Sequence, residues 1–503
     1  MKKAWLILPL LLAAVLIGSL AVWGEEQGRD ITAGCSLSAG WGGELPEGHE
    51  KWLDGKETTY SSVGAEEGLE IIAEQVIGGI YLRFDREPKG DVIITRAGKS
   101  AVVPLTYLHQ YIDVISLLDR YSSLVGLHFS EENSLADIIL LSEGEVPDFV
   151  QIWEPPCEQA DLLLAPTHAD DDHLFFLGVL PYYAGELGYE VQVVYYTNHN
   201  AVHDRPHELL NGLWTVGVTH YPVIAEMADA WDGESETLDF GYRNFAAQGF
   251  EEKELVDFWV KILRRFRPQV VVGHDVKGEY GHPQHMVNTD TLIKALPLCG
   301  DESYLLPDSA DLPWQPEKVY LHLYGENEIV MDWDKPLAAF GGKTAYEVSK
   351  EGYACHRSQQ WTWFTSWIEG KYGQYTASTE IRTYSPNRYG LYFTRVGQDS
   401  VGGDFFENVT PRSTVPPVTT APETSAPPQT EPITTAPVAT DPVTSEPTPT
   451  DPVTPAPADP SPTEPIDGEE KPSGTDGRWI ALAIVALGAA AGAIWILWRG
   501  RRK

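Results

Sequence analysis

Basic residues are scarce in this chain. Its 503 residues include 36 Lys and Arg against 73 Asp and Glu, a formal net charge of −37 at pH 7. A body this acidic repels phosphate backbones, which excludes nucleic acid as a partner, and it has no attraction for anionic lipid headgroups. Cysteine is also scarce. Cys35, Cys157, Cys299 and Cys355 are widely spaced and contain no C-x-x-C, so a cysteine-based zinc site is excluded. Two disulfides or buried thiols are both open for them. No L-P-x-T-G occurs near the C-terminus, and no internal repeat is found. Residues 411–478 have no aromatic side chain but hold eighteen of the 37 prolines. A segment with so little to bury favours extended polyproline II and reads as a stalk.

The two ends carry targeting signals. Lys2 and Lys3 precede an apolar run over 4–22, with Ser19 and Ala21 as a small-x-small cleavage pair, so residues 1–24 read as a signal peptide. Residues 479–498 carry no charge and are bounded by Trp479 and Trp498, and R-G-R-R-K follows. That is about the ~20 residues needed for one transmembrane helix, and the basic tail at 499–503 stays cytoplasmic by the positive-inside rule. The expectation is a single-pass protein of the cell membrane, with its folded domains extracellular and the stalk over 409–478.

The remainder divides near Pro155. Before it, short apolar runs at 80–84, 92–95 and 138–141 are separated by Gly, Pro and Asp turns, the spacing of an all-β sandwich over 25–156. The stretch W-L-D-G-K-E-T-T-Y at 52–60 is similar to the opening signature of discoidin-like carbohydrate-binding sandwiches. Over 157–408 the pattern changes to strands at 161–165, 191–196 and 269–272 alternating with helical spacing at 174–187 and 207–216. That alternation predicts a Rossmann-like α/β domain, a mostly parallel sheet with helices on both faces.

Two polar clusters directly follow predicted strands, H-A-D-D-D-H at 168–173 and G-H-D-V-K-G-E-Y-G-H-P-Q-H at 273–285. Ligands of open α/β sheets bind beyond the carboxyl ends of the strands. Imidazoles and carboxylates gathered there are the donor set of a catalytic Zn²⁺, and consecutive aspartates can supply a ligand and a separate base. Among the other side chains, Asp275, Lys277 and Glu279 read as charges ordering the loop, with Glu279 able to bond a ligand histidine. The aromatics at 361–367 read as core.

With these motifs in this order, the chain over 161–406 resembles the PIG-L/LmbE-like family of zinc-dependent N-deacetylases, in which one strand ends in H-P-D-D-E and a later one in a loop with H-P-D-H. The resemblance implies His168, Asp171 and His285 as metal ligands, Asp170 as general base and His282 as oxyanion stabiliser. It further implies Arg205, in an R-x-x-E with Glu208, and Asp229 as substrate contacts, with Asp232 an alternative to Asp229. Zn²⁺ is the implied cofactor, and Fe²⁺ or Co²⁺ also suit two imidazoles and a carboxylate. Ala169 stands where the family has proline, and Asp172 where it has glutamate. The resemblance extends to a helix over 343–359, where His356 lines the pocket or packs. The function implied is removal of an N-acetyl group from an amino sugar or glycan by a surface-tethered hydrolase. A glycan-binding adhesin built on a catalytically dead relative is the rival. A two-metal phosphoesterase would need more ligands than the motifs supply.

Overall fold

A computed structural model describes residues 27–414, apart from 41–43, 66–67, 120 and 308. The expected signal peptide, most of the stalk, the transmembrane segment and the basic tail lie outside the described residues. Among the described ones, no helix is long and apolar enough to cross a membrane.

The N-terminal part alternates along its strands. In β5 (Asp91–Arg96), for example, Val92, Ile94 and Arg96 are buried and Ile93 and Thr95 exposed, a period of two that presents one apolar face. Nine strands form two antiparallel sheets. One runs β1 (Ser36–Ala39), β3 (Gly68–Ile72), β8 (Leu124–Phe129), β5, β6 (Lys99–Pro104). The other runs β2 (Ser61–Val63), β9 (Asn133–Leu141), β4 (Gly79–Phe84), β7 (His109–Asp113). One short helix, α1 (Val114–Leu118), follows β7. In the 52–60 stretch Trp52 is fully buried, and Asp54 accepts from Lys56 N and Thr59 Oγ1 in a tight turn.

The α/β part has seven strands in the order β12 (Val223–Ile224), β11 (Val191–Tyr195), β10 (Leu162–Leu164), β13 (Val270–Gly273), β14 (Lys318–His322), β16 (Arg388–Thr394), β15 (Glu328–Val330). The first five are parallel, and β16 runs antiparallel to both its neighbours, β14 and β15. The four central strands, β11, β10, β13 and β14, are buried on both sides. Leu162 and Leu164 face a core shared with α2 (Asp204–Thr215) and α6 (Ala345–Ala354). Leu163 faces the other core with α4 (Glu252–Phe266) and α5 (Pro283–Cys299). Helix α4 shows why such segments fold as they do. Leu255, Val256, Trp259, Val260, Leu263 and Phe266 line one face, acids start it, and Arg264 and Arg265 end it, matching apolar spacing and dipole. A shorter helix, α3 (Leu238–Ala247), packs beside α5. All four cysteines are free thiols.

One expected helix is not regular. Residues 174–178 wind as turns, and a π-type turn follows over Pro181–Glu186. Pro181 has no N–H to give, and Gly178 sits at φ +87 with Trp333 packed where a Cβ would stand, 2.3 Å from its Cδ2. The apolar spacing there serves a buried, irregular segment.

The sandwich and the α/β part lie within one compact unit. Glu57 joins them by accepting from Arg83 and Asn211 and from Arg357 at 2.6 Å. His109 Nε2 stands 2.7 Å from His207 Nδ1, and His203 bonds Asp85 at 2.6 Å.

Candidate active site

Strand β10 sits between β11 and β13, so the chain leaves its carboxyl end in one direction and returns on the other side. That switch point opens the crevice where α/β sheets bind ligands, and both motifs meet there. Asp171 turns back onto its own loop, where Oδ2 accepts from the N–H of Thr167 at 3.1 Å and of His168 at 2.6 Å. His282 is the N-cap of α5, its Nδ1 accepting from Gln284 N at 3.3 Å, with Pro283 opening the first turn. His285 follows within that turn.

The three expected ligands converge. Asp171 Oδ2, His168 Nδ1 and His285 Nε2 form a triangle with sides of 3.4, 3.4 and 3.0 Å. Ligands about 2.1 Å from a tetrahedral ion stand roughly 3.4 Å apart. The bonds behind the rings fix their protons. Gln284 donates its Nε2 to Ala228 O, so its Oε1 accepts from His168 Nε2 at 3.1 Å. Glu279 Oε2 accepts from His285 Nδ1 at 2.7 Å. In their neutral forms both imidazoles would therefore turn lone pairs toward a carboxylate oxygen, an arrangement that a cation satisfies. His168, His282 and His285 are also grouped closely enough to share an ion, as are Asp171, His274 and His285.

Glu279 is the hub of the second layer. Its carboxylate also accepts from His274 Nδ1 at 2.8 Å and His322 Nδ1 at 2.6 Å. Burial alone would raise the Glu279 and Asp171 carboxyls, but the adjoining imidazoles hold both well below the usual range. Burial disfavours charge on His168 and His274 too. Asp229 and Asp171 nevertheless raise His168 well above its ordinary value, and Glu279 and Asp171 raise His274 to about 9. His282 differs, since burial and the neighbouring imidazoles keep it neutral. With Nδ1 engaged at the helix cap, its Nε2–H is left as a donor.

Asp170 points elsewhere than Asp171. Its Oδ1 accepts from Arg205 Nη2 at 3.2 Å, while Arg205 Nη1 is buried without a partner among the described residues. Arg205 is thus tied to Asp170 while its Nη1 is left over. Asp229 lies 3.5 Å from His168 Nε2 and 3.4 Å from His199 Nδ1, and these imidazoles hold its carboxyl far below the usual range despite partial burial. Asp232 instead closes an exposed turn with Ser235. A cavity of about 430 Å³ is lined by His168, Asp170, Asp229, His282, Tyr280 and Trp361, with Arg205, His199, Ser358, Gln359 and Phe364 around them. Tyr280 sits at φ +48, backbone strain of the kind held at functional sites.

His199, His274 and His322 escaped sequence reasoning. The first accepts from Ala169 N at 3.2 Å, a bond that a proline at 169 could not make. One other expectation changes, and one of the two readings of His356 holds. Trp361 is 73% exposed and borders the cavity, Trp363 is 46% exposed, and Trp367 and Phe364 pack on Phe175. His356 is buried against His173 and does not line the cavity. Glu208 holds Ser358, through its N–H at 2.7 Å and its Oγ at 2.6 Å.

Residues 162–296 match the PIG-L family, described as GlcNAc-PI de-N-acetylase. This stretch is a PIG-L domain. A 1D-myo-inositol 2-acetamido-2-deoxy-alpha-D-glucopyranoside deacetylase of Streptomyces scabiei is 28% identical over 177 residues, 32% of this chain and 54% of its own length. A second such deacetylase, from Saccharopolyspora erythraea, is 41% identical over 80 residues, 15% of this chain and 28% of that one. The chain thus spans about half the length of the first relative and less of the second. Among solved structures, the N,N'-diacetylchitobiose deacetylase of Pyrococcus horikoshii is 17% identical over 47% of this chain and 84% of that one, with a TM-score of 0.30. The matched residues include His168, Asp171 and His285, with Asp170 and His282.

Proposed function

We propose that this chain is a metal-dependent N-deacetylase acting on an N-acetylated amino sugar. The observation that carries the reading is the triangle of Asp171, His168 and His285 with Asp170 beside it, paired to Arg205 and free of the ligand set. His168, Asp171 and His285 would hold the ion, and two imidazoles with one carboxylate favour zinc. A divalent cation so held supplies Lewis acidity toward the amide carbonyl and lowers the pKa of water.

The chain's own groups do the rest. Asp170 takes the proton of the water that attacks the carbonyl carbon, with Arg205 fixing the carboxylate's direction. The neutral His282 donates Nε2–H to the oxygen as it gains charge. Asp170 then returns its proton to the departing nitrogen, releasing amine and acetate. Asp229 and the second N–H group of Arg205 face the cavity as sugar contacts. The relatives' printed substrates, all 2-acetamido sugars, support the choice of substrate class.

The same reading holds the enzyme at the cell surface by a C-terminal membrane segment. Its support is the apolar run at 4–22 after two lysines, and the uncharged 479–498 run before R-G-R-R-K. Protease added to intact cells would release the folded part if it is external.

The deciding assay is amine release from N-acetylglucosamine and its oligomers by the full chain, before and after chelation and zinc repletion. Activity should disappear on chelation and return with zinc. A zinc-loaded chain that deacetylates no N-acetylated amino sugar overturns the proposal.

A further inference from the structure

Directly behind the catalytic loop lies a second group of ligand-type side chains that the proposed chemistry leaves unused. Asp172, His173 and His356 are 1%, 0% and 0% exposed. Each offers one donor atom within 4.8 Å of the others. His173 Nε2 stands 3.2 Å from Asp172 Oδ2, and the two imidazole centroids are 5.3 Å apart. Both carboxylate oxygens and all four ring nitrogens lack a hydrogen-bond partner among the described residues. The Tyr195 hydroxyl lies close enough to Asp172 to act on its carboxyl.

A buried polar atom left unpaired costs about 1–3 kcal/mol, and native folds tolerate few of them. Six such atoms in three touching side chains demand a partner. The backbone has also been cleared for these rings. A Cβ on Gly212 of α2 would stand 2.4 Å from His173 Nε2 and 3.0 Å from His356 Nε2. A Cβ on Gly352 of α6 would stand 2.6 Å from His173 Cε1 and 2.7 Å from its Nδ1. Glycine inside a helix is roughly 1 kcal/mol less favourable than alanine, so two of them facing the same imidazole mark space that the fold keeps for these side chains.

We propose that Asp172, His173 and His356 bind a second divalent transition-metal ion, with a structural role separate from the catalytic triangle. Two imidazole nitrogens and one carboxylate oxygen suit zinc, and the Tyr195 hydroxyl is a further oxygen at hand. The placement gives the ion a purpose. Asp172 and His173 continue directly from Asp170 and Asp171, while His356 precedes the turn over Arg357–Gln359, whose Ser358 and Gln359 line the cavity. One ion would staple the loop bearing the base to the turn that closes the pocket.

Counting metal tests this independently of whether the protein deacetylates anything. The full chain, saturated with zinc and freed of excess, is analysed by inductively coupled plasma mass spectrometry. The wild type should hold two zinc per chain, and His285→Ala and His356→Ala one each. Asp172→Asn, which conserves volume, should also fall to one and serves if the His356 variant does not fold. A wild type saturating at one zinc overturns the proposal and leaves buried water as the partner of these atoms. So do two zinc retained in both His356→Ala and Asp172→Asn.

Discussion

Replacing Glu279 by glutamine tests the layer behind the metal ligands. The carboxylate serves three imidazoles, with His274 and His285 on Oε2 and His322 on Oε1 at 2.6–2.8 Å. Glutamine offers one acceptor oxygen and an NH₂ group that only donates. Whichever way the amide turns, at least one buried N–H faces a donor and the negative charge is gone. Removing one partner from a buried ionic cluster costs about 3–5 kcal/mol, so urea unfolding of the metal-free variant should show a loss of that order. Second-layer changes of this kind weaken metal about 10–100-fold, equivalent to roughly 1.4–2.8 kcal/mol, which chelator competition measures. The pH dependence adds a second reading. In the metal-free fold His274 is raised to about 9, against about 6.5 when unfolded. Its bound proton therefore stabilises fully below pH 6.5, and that contribution is lost as pH rises toward 9. Glu279→Gln should flatten this decline. A variant with wild-type metal affinity and an unchanged slope of stability between pH 6.5 and 9 refutes the hub.

Three further outcomes are expected. Asp170→Asn should retain metal while kcat falls about 10²–10⁴-fold, the usual share of a general base; Asp171→Asn should instead lose metal, and equal metal content in the two would undo that division. Because Asp229 and Asp171 raise His168 above its ordinary value, metal must displace a proton from it, so metal affinity measured by competition should climb with pH from 6 to 8; a flat profile contradicts the assignment. Trp361→Ala, at an exposed rim position, should shift stability by less than about 0.5 kcal/mol yet raise KM for sugar oligomers more than for the monosaccharide.

Local patterns carried most of the fold. Buried parallel strands announce themselves as short apolar runs, and those at 161–165, 191–196 and 269–272 fall on β10, β11 and β13. The segment at 174–187 did not fold as its spacing suggested, because Pro181 and the φ of Gly178 act against a regular helix that the apolar count alone supports. The ligand triangle was legible since each ligand sits in a short motif at a strand's end. His199, His274 and His322 were not, for their partners are Ala169 for the first and Glu279 for the other two, pairings set by packing across 30 or more residues in two of the three cases. Trp361 misled for a related reason: an aromatic's periodicity does not say whether it faces core or cavity.

The bonds from Glu57 to Arg83, Asn211 and Arg357, with the His109–His207 contact, make the sandwich a wall of the catalytic body and not a passenger on a tether. Trimming it away would remove the Glu57 carboxylate from the Asn211 amide and the Arg357 guanidinium and leave His207 without His109, so the shortest unit worth expressing begins near residue 27 and not near 157.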